Sequence, residues 1–210
     1  MSSFNHRFAV SRVGTIAALG VTFIPGVALA HHDMDGATPA TLFQGFMSGL
    51  VHPVIGLDHL AMVLLIGAYC GATRRSLAPA AAFAAAGLVG CLLHVARLDL
   101  PKAETSLAVS LVIAGLLALS VTRAPTLLAS AVLGLMGLLH GYAYGESIVG
   151  AESTPLVAYL VGFTLVQLTI AIGAWAVTRG GAQEGARSRD VYIVRGLSIA
   201  SALVGVAALI

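Results

Sequence analysis

The sequence predicts an all-α protein, a polytopic bundle of membrane helices with six spans after signal-peptide removal and the first span kinked or broken at His52-Pro53. Three observations carry that expectation. Hydrophobic residues make up 58% of the chain and charged residues only 10%, against about 25% charged in ordinary soluble domains, and mean hydropathy is +0.95. Apolar runs long enough to cross a hydrocarbon core of about 30 Å recur along the chain. Basic residues segregate into alternate loops, as a fixed orientation in a membrane requires. A net charge of +2 with no basic block gives no footing for nucleic acid.

Residues 1–30 read as a cleavable signal peptide. His6, Arg7 and Arg12 supply a basic start, residues 13–27 a short apolar core, and Ala28-Leu29-Ala30 a small-residue cleavage site. The mature chain then begins at His31, on the periplasmic side of a bacterial inner membrane, and residues 31–210 form a single transmembrane domain. Residues 42–71 would extend roughly 45 Å as one continuous helix, too long for one straight crossing, so a kink at His52-Pro53 is expected. Further spans are expected near 77–96, 107–121, 126–144, 155–177 and 191–210.

With His31 outside, the inner loops hold Arg74, Arg75, Arg123, Arg179, Arg187, Arg189 and Arg195, and the outer loops only Arg97 and Lys102. Acids lean the other way, with Asp33, Asp35, Asp99, Glu104, Glu146 and Glu152 at or near the outer face, where they raise the local cation concentration. The many small residues, including Gly87-x-x-Gly90, allow close helix packing in lipid. Cys70 and Cys91 lie in apolar segments and read as packing residues. Tyr69, Trp175 and Tyr192 read as interfacial anchors.

The chemistry concentrates in Val51-His-Pro-Val-Ile-Gly-Leu-Asp-His-Leu-Ala-Met62. An ionisable group at bilayer depth costs roughly 2.5–3.5 kcal/mol even on a lenient scale, so His52, Asp58 and His59 require a compensating partner. A broken helix with two imidazoles and a carboxylate at the break is a plausible cation site. On a straight helix the two histidines would stand about 10.5 Å apart along the axis, too far for one ion at metal–nitrogen distances of about 2.0–2.1 Å. Either Pro53 and Gly56 fold the segment, or the histidines serve successive positions along a path. Asp58, adjacent to His59, either ligates or orients its neighbour.

A second cluster, His140-Gly-Tyr-Ala-Tyr-Gly-Glu146, lies at matching depth, with His140 and Tyr144 on one helical face. The metal set read from these segments is His52, Asp58, His59, His140 and Glu146. Accessory candidates are His31 and His32, which also read as an exposed tail, and His94, which also reads as a cap of its helix end. Glu104 also reads as a favourable acid at a helix N-terminus, and Tyr144 completes the accessory set. Imidazole with carboxylate and no thiolate suits Ni, Co, Zn or Fe, and argues against Cu(I), Mg or Ca. No prosthetic group is expected.

His52-x5-Asp58-His59, preceded by Phe46 and followed by Ala61-Met62, resembles the first signature of the HupE/UreJ family. Leu139-His-Gly-Tyr-Ala-Tyr-Gly-Glu146 resembles the second, usually Phe-His-Gly-x-Ala-His-Gly-x-Glu. The resemblance covers essentially the whole mature chain. It implies an inner-membrane permease for nickel, or in some members cobalt, supplying hydrogenase, urease or cobalamin assembly, with His52, Asp58, His59, His140 and Glu146 at the metal-handling positions. Tyr144 stands where the family usually has a second histidine and Leu139 where it has phenylalanine. A phenol, with an ordinary pKa of about 10, is the poorer ligand for Ni(II).

The leading expectation is therefore a secondary permease for a divalent transition metal, not an enzyme, embedded in the lipid bilayer and open to homo-oligomer formation. The sequence carries no Gly-x4-Gly-Lys nucleotide loop. Rival readings are an intramembrane metal-dependent hydrolase with metal-activated water, a haem b carrier using histidines of two spans, and a non-transporting metal-binding accessory subunit.

Overall fold

Thr41 opens the first helix. Its hydroxyl accepts from Gln44 N at 3.2 Å while Gln44 Oε1 accepts from Thr41 N at 3.2 Å, a reciprocal cap for N–H groups that a helix start leaves over. The computed structural model describes residues 38–119, 124–179 and 184–210, the side chains of 184–187 excepted. The expected signal peptide, His31 and His32, Asp33 and Asp35, Arg123 and the side chain of Arg187 lie outside the described residues. Among the described residues are seven α-helices and no strand: α1 (Leu42–Ile55), α2 (Leu57–Ala72), α3 (Ala78–Val95), α4 (Ala103–Leu119), α5 (Thr126–Gly145), α6 (Ser153–Arg179) and α7 (Glu184–Ala207). A 3₁₀ turn, Glu146–Ile148, continues α5.

Helices α3, α5, α6 and α7 are each long and apolar enough to cross a membrane. The pair α1–α2 qualifies as one span bent by 77°. The 17-residue α4 is a shorter apolar helix, about 25 Å long, at the lower end of spanning length. The outward faces remain apolar, with Leu127 83% and Leu135 65% exposed, a surface suited to lipid and ill suited to water.

The break in the first span falls at Gly56, three residues beyond the expected His52-Pro53. Pro53 sits inside the last turn of α1, where its missing N–H loosens the helix. The chain leaves helical geometry only at Gly56 (φ −71°, ψ 104°), which caps α1 by donating to His52 O at 3.1 Å. Gly56 O then accepts from Leu60 N at 2.9 Å as α2 begins. A side chain at Gly56 would press on the His59 ring, with Cβ 2.6 Å from Cδ2, so glycine is required by this close approach.

Glycine also sets the packing. Gly45 and Gly49 of α1 seat against the backbone of Pro155 and Tyr159 of α6, and Gly67 and Gly71 of α2 against Ala171 and Trp175. Both legs of the bent span thus run parallel to α6. From Gly49 to Gly67 the legs contain about 27 Å of helix, while the matching stretch of α6, from Tyr159 or Phe163 to Ala171, measures only about 12–18 Å. The excess length bows the span away from α6 at Gly56. Helices α3 and α5 also run parallel, with Gly141 against Gly87 O, Gly137 against Phe83 O and Gly90 against Leu138 O. Gly87-x-x-Gly90 is therefore a packing motif. Helices α4 and α7 are antiparallel, with Gly115 on Ser198 and Gly205 on Ala108. These directions agree with spans that alternate across a membrane.

At the end carrying Arg74, Trp175 Nε1 donates to Arg75 O at 3.1 Å and the Arg179 guanidinium lies 4.5 Å over the Trp175 ring. The two cysteines are buried and unbridged.

Candidate metal-handling site

The bend converts a sequence separation into a contact. His52, in the last turn of α1, and His59, in the first turn of α2, have ring centroids 5.3 Å apart, in place of the 10.5 Å or so that a straight helix would impose. The end of α5 brings the second segment to them. Tyr144 lies 4.1 Å from the His59 ring and 5.2 Å from the His52 ring, and His140 lies 5.5 Å from His59. His52 is 2% exposed, and His59, His140 and Tyr144 are fully buried. Two segments some eighty residues apart in sequence thus supply three imidazoles and a phenol to one enclosed cluster.

Surrounding side chains hold these rings in place. The His140 Nδ1–H donates to Met136 O at 3.0 Å. A carbonyl only accepts, so the neutral ring has its in-plane lone pair on Nε2. Ser147, in the 3₁₀ turn, hydrogen-bonds His52 Nδ1 at 2.7 Å. Tyr159 Oη donates to Tyr144 O at 2.8 Å, and Phe163 stacks on Tyr144 with centroids 5.2 Å apart. Phe83 of α3 closes another side, 5.4 Å from the His140 ring. Asp58, near the positive end of the α2 dipole, accepts from His59 N at 2.8 Å and lies 3.9 Å from His59 Nε2. Its side chain is 15% exposed, so the carboxylate reaches the surface beside the buried rings.

Among the described residues, His140 Nε2, Tyr144 Oη and both amide atoms of Gln167 are buried without a hydrogen-bond partner. Each such group costs about 1–3 kcal/mol, a large sum against a total stability of about 5–15 kcal/mol. His140 Nε2 is a lone-pair donor facing a cluster of further donors. Two imidazoles on one tetrahedral ion stand roughly 5 Å apart between centroids at ligand distances of about 2.0–2.1 Å, which the His52–His59 and His59–His140 spacings approach. No group of three His, Cys, Asp or Glu side chains among the described residues is arranged to hold one ion together. The imidazoles instead form a series of neighbouring pairs, His52 to His59 to His140.

Four residues read from the sequence, His52, Asp58, His59 and His140, are brought together, and Tyr144 joins them. Glu146 is not among them; it is exposed at the cap of α5. His94 is engaged elsewhere, its Nδ1–H donating to Tyr142 O at 2.8 Å with the rings 4.4 Å apart. Glu104 is exposed in the first turn of α4. Ser147, Tyr159, Phe163, Phe83 and Gln167 complete the surroundings and were not singled out by the sequence reading. Gln167 alone had a legible signal, as an amide within the apolar run 155–177.

Comparison with known proteins adds a family to this geometry. Residues 19–208 match the model of the family described as HupE / UreJ protein. The chain is 29% identical over 172 residues to Protein HupE of Rhizobium leguminosarum bv. viciae, an alignment covering 80% of this chain and 84% of that relative. No solved structure matches the chain.

Proposed function

We propose, on the premise that the chain belongs to the HupE/UreJ family, that it is a secondary permease carrying a divalent transition-metal ion, nickel or cobalt before zinc or iron, across the bacterial inner membrane. In this reading it serves hydrogenase, urease or cobalamin assembly and is not an enzyme. One observation carries the proposal: His52, His59 and His140 stand as a buried series of imidazoles at the break of a membrane helix. Asp58, partly exposed and anionic, draws the cation from the periplasmic side, where the mature N-terminus lies. The ion then passes between neighbouring imidazole pairs while Tyr144, Phe163 and Phe83 keep bulk water out. A membrane potential, inside negative, favours entry by about 2.3 kcal/mol per charge per 100 mV.

The test is uptake of radiolabelled nickel or cobalt into proteoliposomes containing this chain alone. Wild type is expected to load the vesicles, while His52→Ala and Asp58→Ala reduce uptake at least tenfold at equal protein content. Wild-type uptake matched by both variants would remove these residues from the path. Binding without uptake by wild type would favour the accessory-subunit reading.

A further inference from the structure

Arg75 follows α2 at the end of the protein where Arg74 and Arg179 also lie, and only 8% of it is exposed. Its guanidinium donates one hydrogen bond, from Nε to Thr73 Oγ1 at 3.1 Å, and its Cζ lies 5.6 Å from the centre of the Tyr69 ring. No carboxylate among the described residues pairs with it, and Asp190, at the same end, is held by Arg189 at 3.2 Å. A guanidinium drawn this far out of water without an anion is costly. Beside it a cavity of about 270 Å³ opens between α2, α4 and α5. Tyr69 forms part of its wall with Ile66 of α2, Leu117 and Ala118 of α4, and Leu128 and Met136 of α5, and apart from the phenol no lining side chain carries nitrogen or oxygen. The glycine contacts account for the cleft: they fasten α4 to α7 and α5 to α3, while α4 meets α5 only lightly. Leu117 and Leu128 are each more than half exposed at its mouth, which therefore faces lipid.

We infer that this is a seat for an anionic phospholipid, with the phosphate on the Arg75 guanidinium and one acyl chain in the cavity beside it. The wall admits hydrocarbon and offers almost nothing to a polar ligand. An engineered cavity of about 150 Å³ accepts the six carbons of benzene, so on the same scale 270 Å³ takes about ten carbons of a chain. The wall follows α5 for about 12 Å, from Leu128 to Met136. Lipid tails already surround the protein, so a chain gains little by entering on its own account. The charge selects the occupant. A guanidinium matches phosphate with parallel N–H donors, and basic sites between membrane helices recognise acidic headgroups in this way. Arg74 and Arg179 at the same end add to the positive field, which repels the cation of a zwitterionic headgroup.

The test titrates the full chain in detergent with phosphatidylglycerol or phosphatidylcholine of identical acyl chains and counts bound lipid by native mass spectrometry. Wild type is expected to hold one phosphatidylglycerol at least tenfold more tightly than phosphatidylcholine. Arg75→Gln is expected to erase that preference. Ala118→Leu, which fills the cavity and changes no charge, is expected to weaken phosphatidylglycerol binding at least tenfold, and it carries the test should Arg75→Gln not fold. Equimolar glycerol 3-phosphate is expected to displace none of the bound lipid. Equal retention of the two lipids by wild type, a preference that survives Arg75→Gln, unchanged binding by Ala118→Leu, or displacement by glycerol 3-phosphate would each overturn the seat. A wild-type dimer that Ala118→Leu splits would also overturn it, giving the cleft to a second copy of the chain. None of these readouts involves a metal, so the permease reading stands or falls separately.

Discussion

Replacing Gly56 by alanine adds one methyl group at the point where the first span breaks. Its Cβ would lie 2.6 Å from His59 Cδ2, 3.1 Å from Asp58 Oδ1 and 3.4 Å from His52 O. Comfortable carbon–carbon contacts are about 3.5–4.0 Å, so the ring must retreat by roughly 1 Å. It has nowhere free to go, because Tyr144, His52 and His140 surround it. Overpacking of this kind costs about 1–3 kcal/mol. Alanine accepts φ −71° and ψ 104° without strain, and its stiffer unfolded chain returns about 0.4–1 kcal/mol. A net loss of about 1–2 kcal/mol is expected, with weaker metal binding because the displaced ring is one of the proposed ligands. Reversible unfolding in detergent and Ni(II) calorimetry read the two effects. Gly173→Ala and Gly196→Ala are the controls, since a Cβ at either meets nothing within 4 Å. Both lie inside helices, so each is expected to gain about 0.8–1 kcal/mol. If Gly56→Ala stabilises the protein as the controls do, the close approach of His59 to the break is not a real constraint.

Two further substitutions separate the roles within the cluster. Tyr144→His, which places a fourth imidazole against His59, is expected to tighten Ni(II) binding at least tenfold; unchanged affinity would mean that the phenol is not what limits the site. Glu146→Gln is expected to leave Ni(II) affinity within twofold, because the carboxylate lies outside the buried cluster, and a large loss would place it back among the ligands.

Much of this arrangement was legible because lipid penalises polar groups so heavily. Ionisable residues at two matching depths had to meet, and His52, His59 and His140 do. Which of Pro53 and Gly56 marks the break was not legible. Proline signals disruption locally, but Pro53 is accommodated in the final turn of α1, and the bend falls where His59 leaves no room for a side chain. Glu146 groups with His140 by its place near the outer end of the same span. That helix ends at Gly145, six residues are not a whole number of turns, and Glu146 is exposed at the cap. His94 could be read two ways; its hydrogen bond to Tyr142 O ties the end of α3 to α5. Ser147 and Tyr159 hold the rings through contacts between distant segments, which no local pattern encodes.

The long helix α6 supports both halves of the fractured crossing, as a splint supports a limb set at an angle. Backbone lies directly on backbone at Gly45 and Gly49 above the fracture and at Gly67 and Gly71 below it, so straightening the fracture would unseat both halves at once. Helices α3 and α5 are clamped to each other just as closely and bring His140 and Tyr144 as one body. The hydrogen bonds from Tyr159 to Tyr144 O and between Ser147 and His52 fasten that body to the splinted limb, so neither moves without loosening the other.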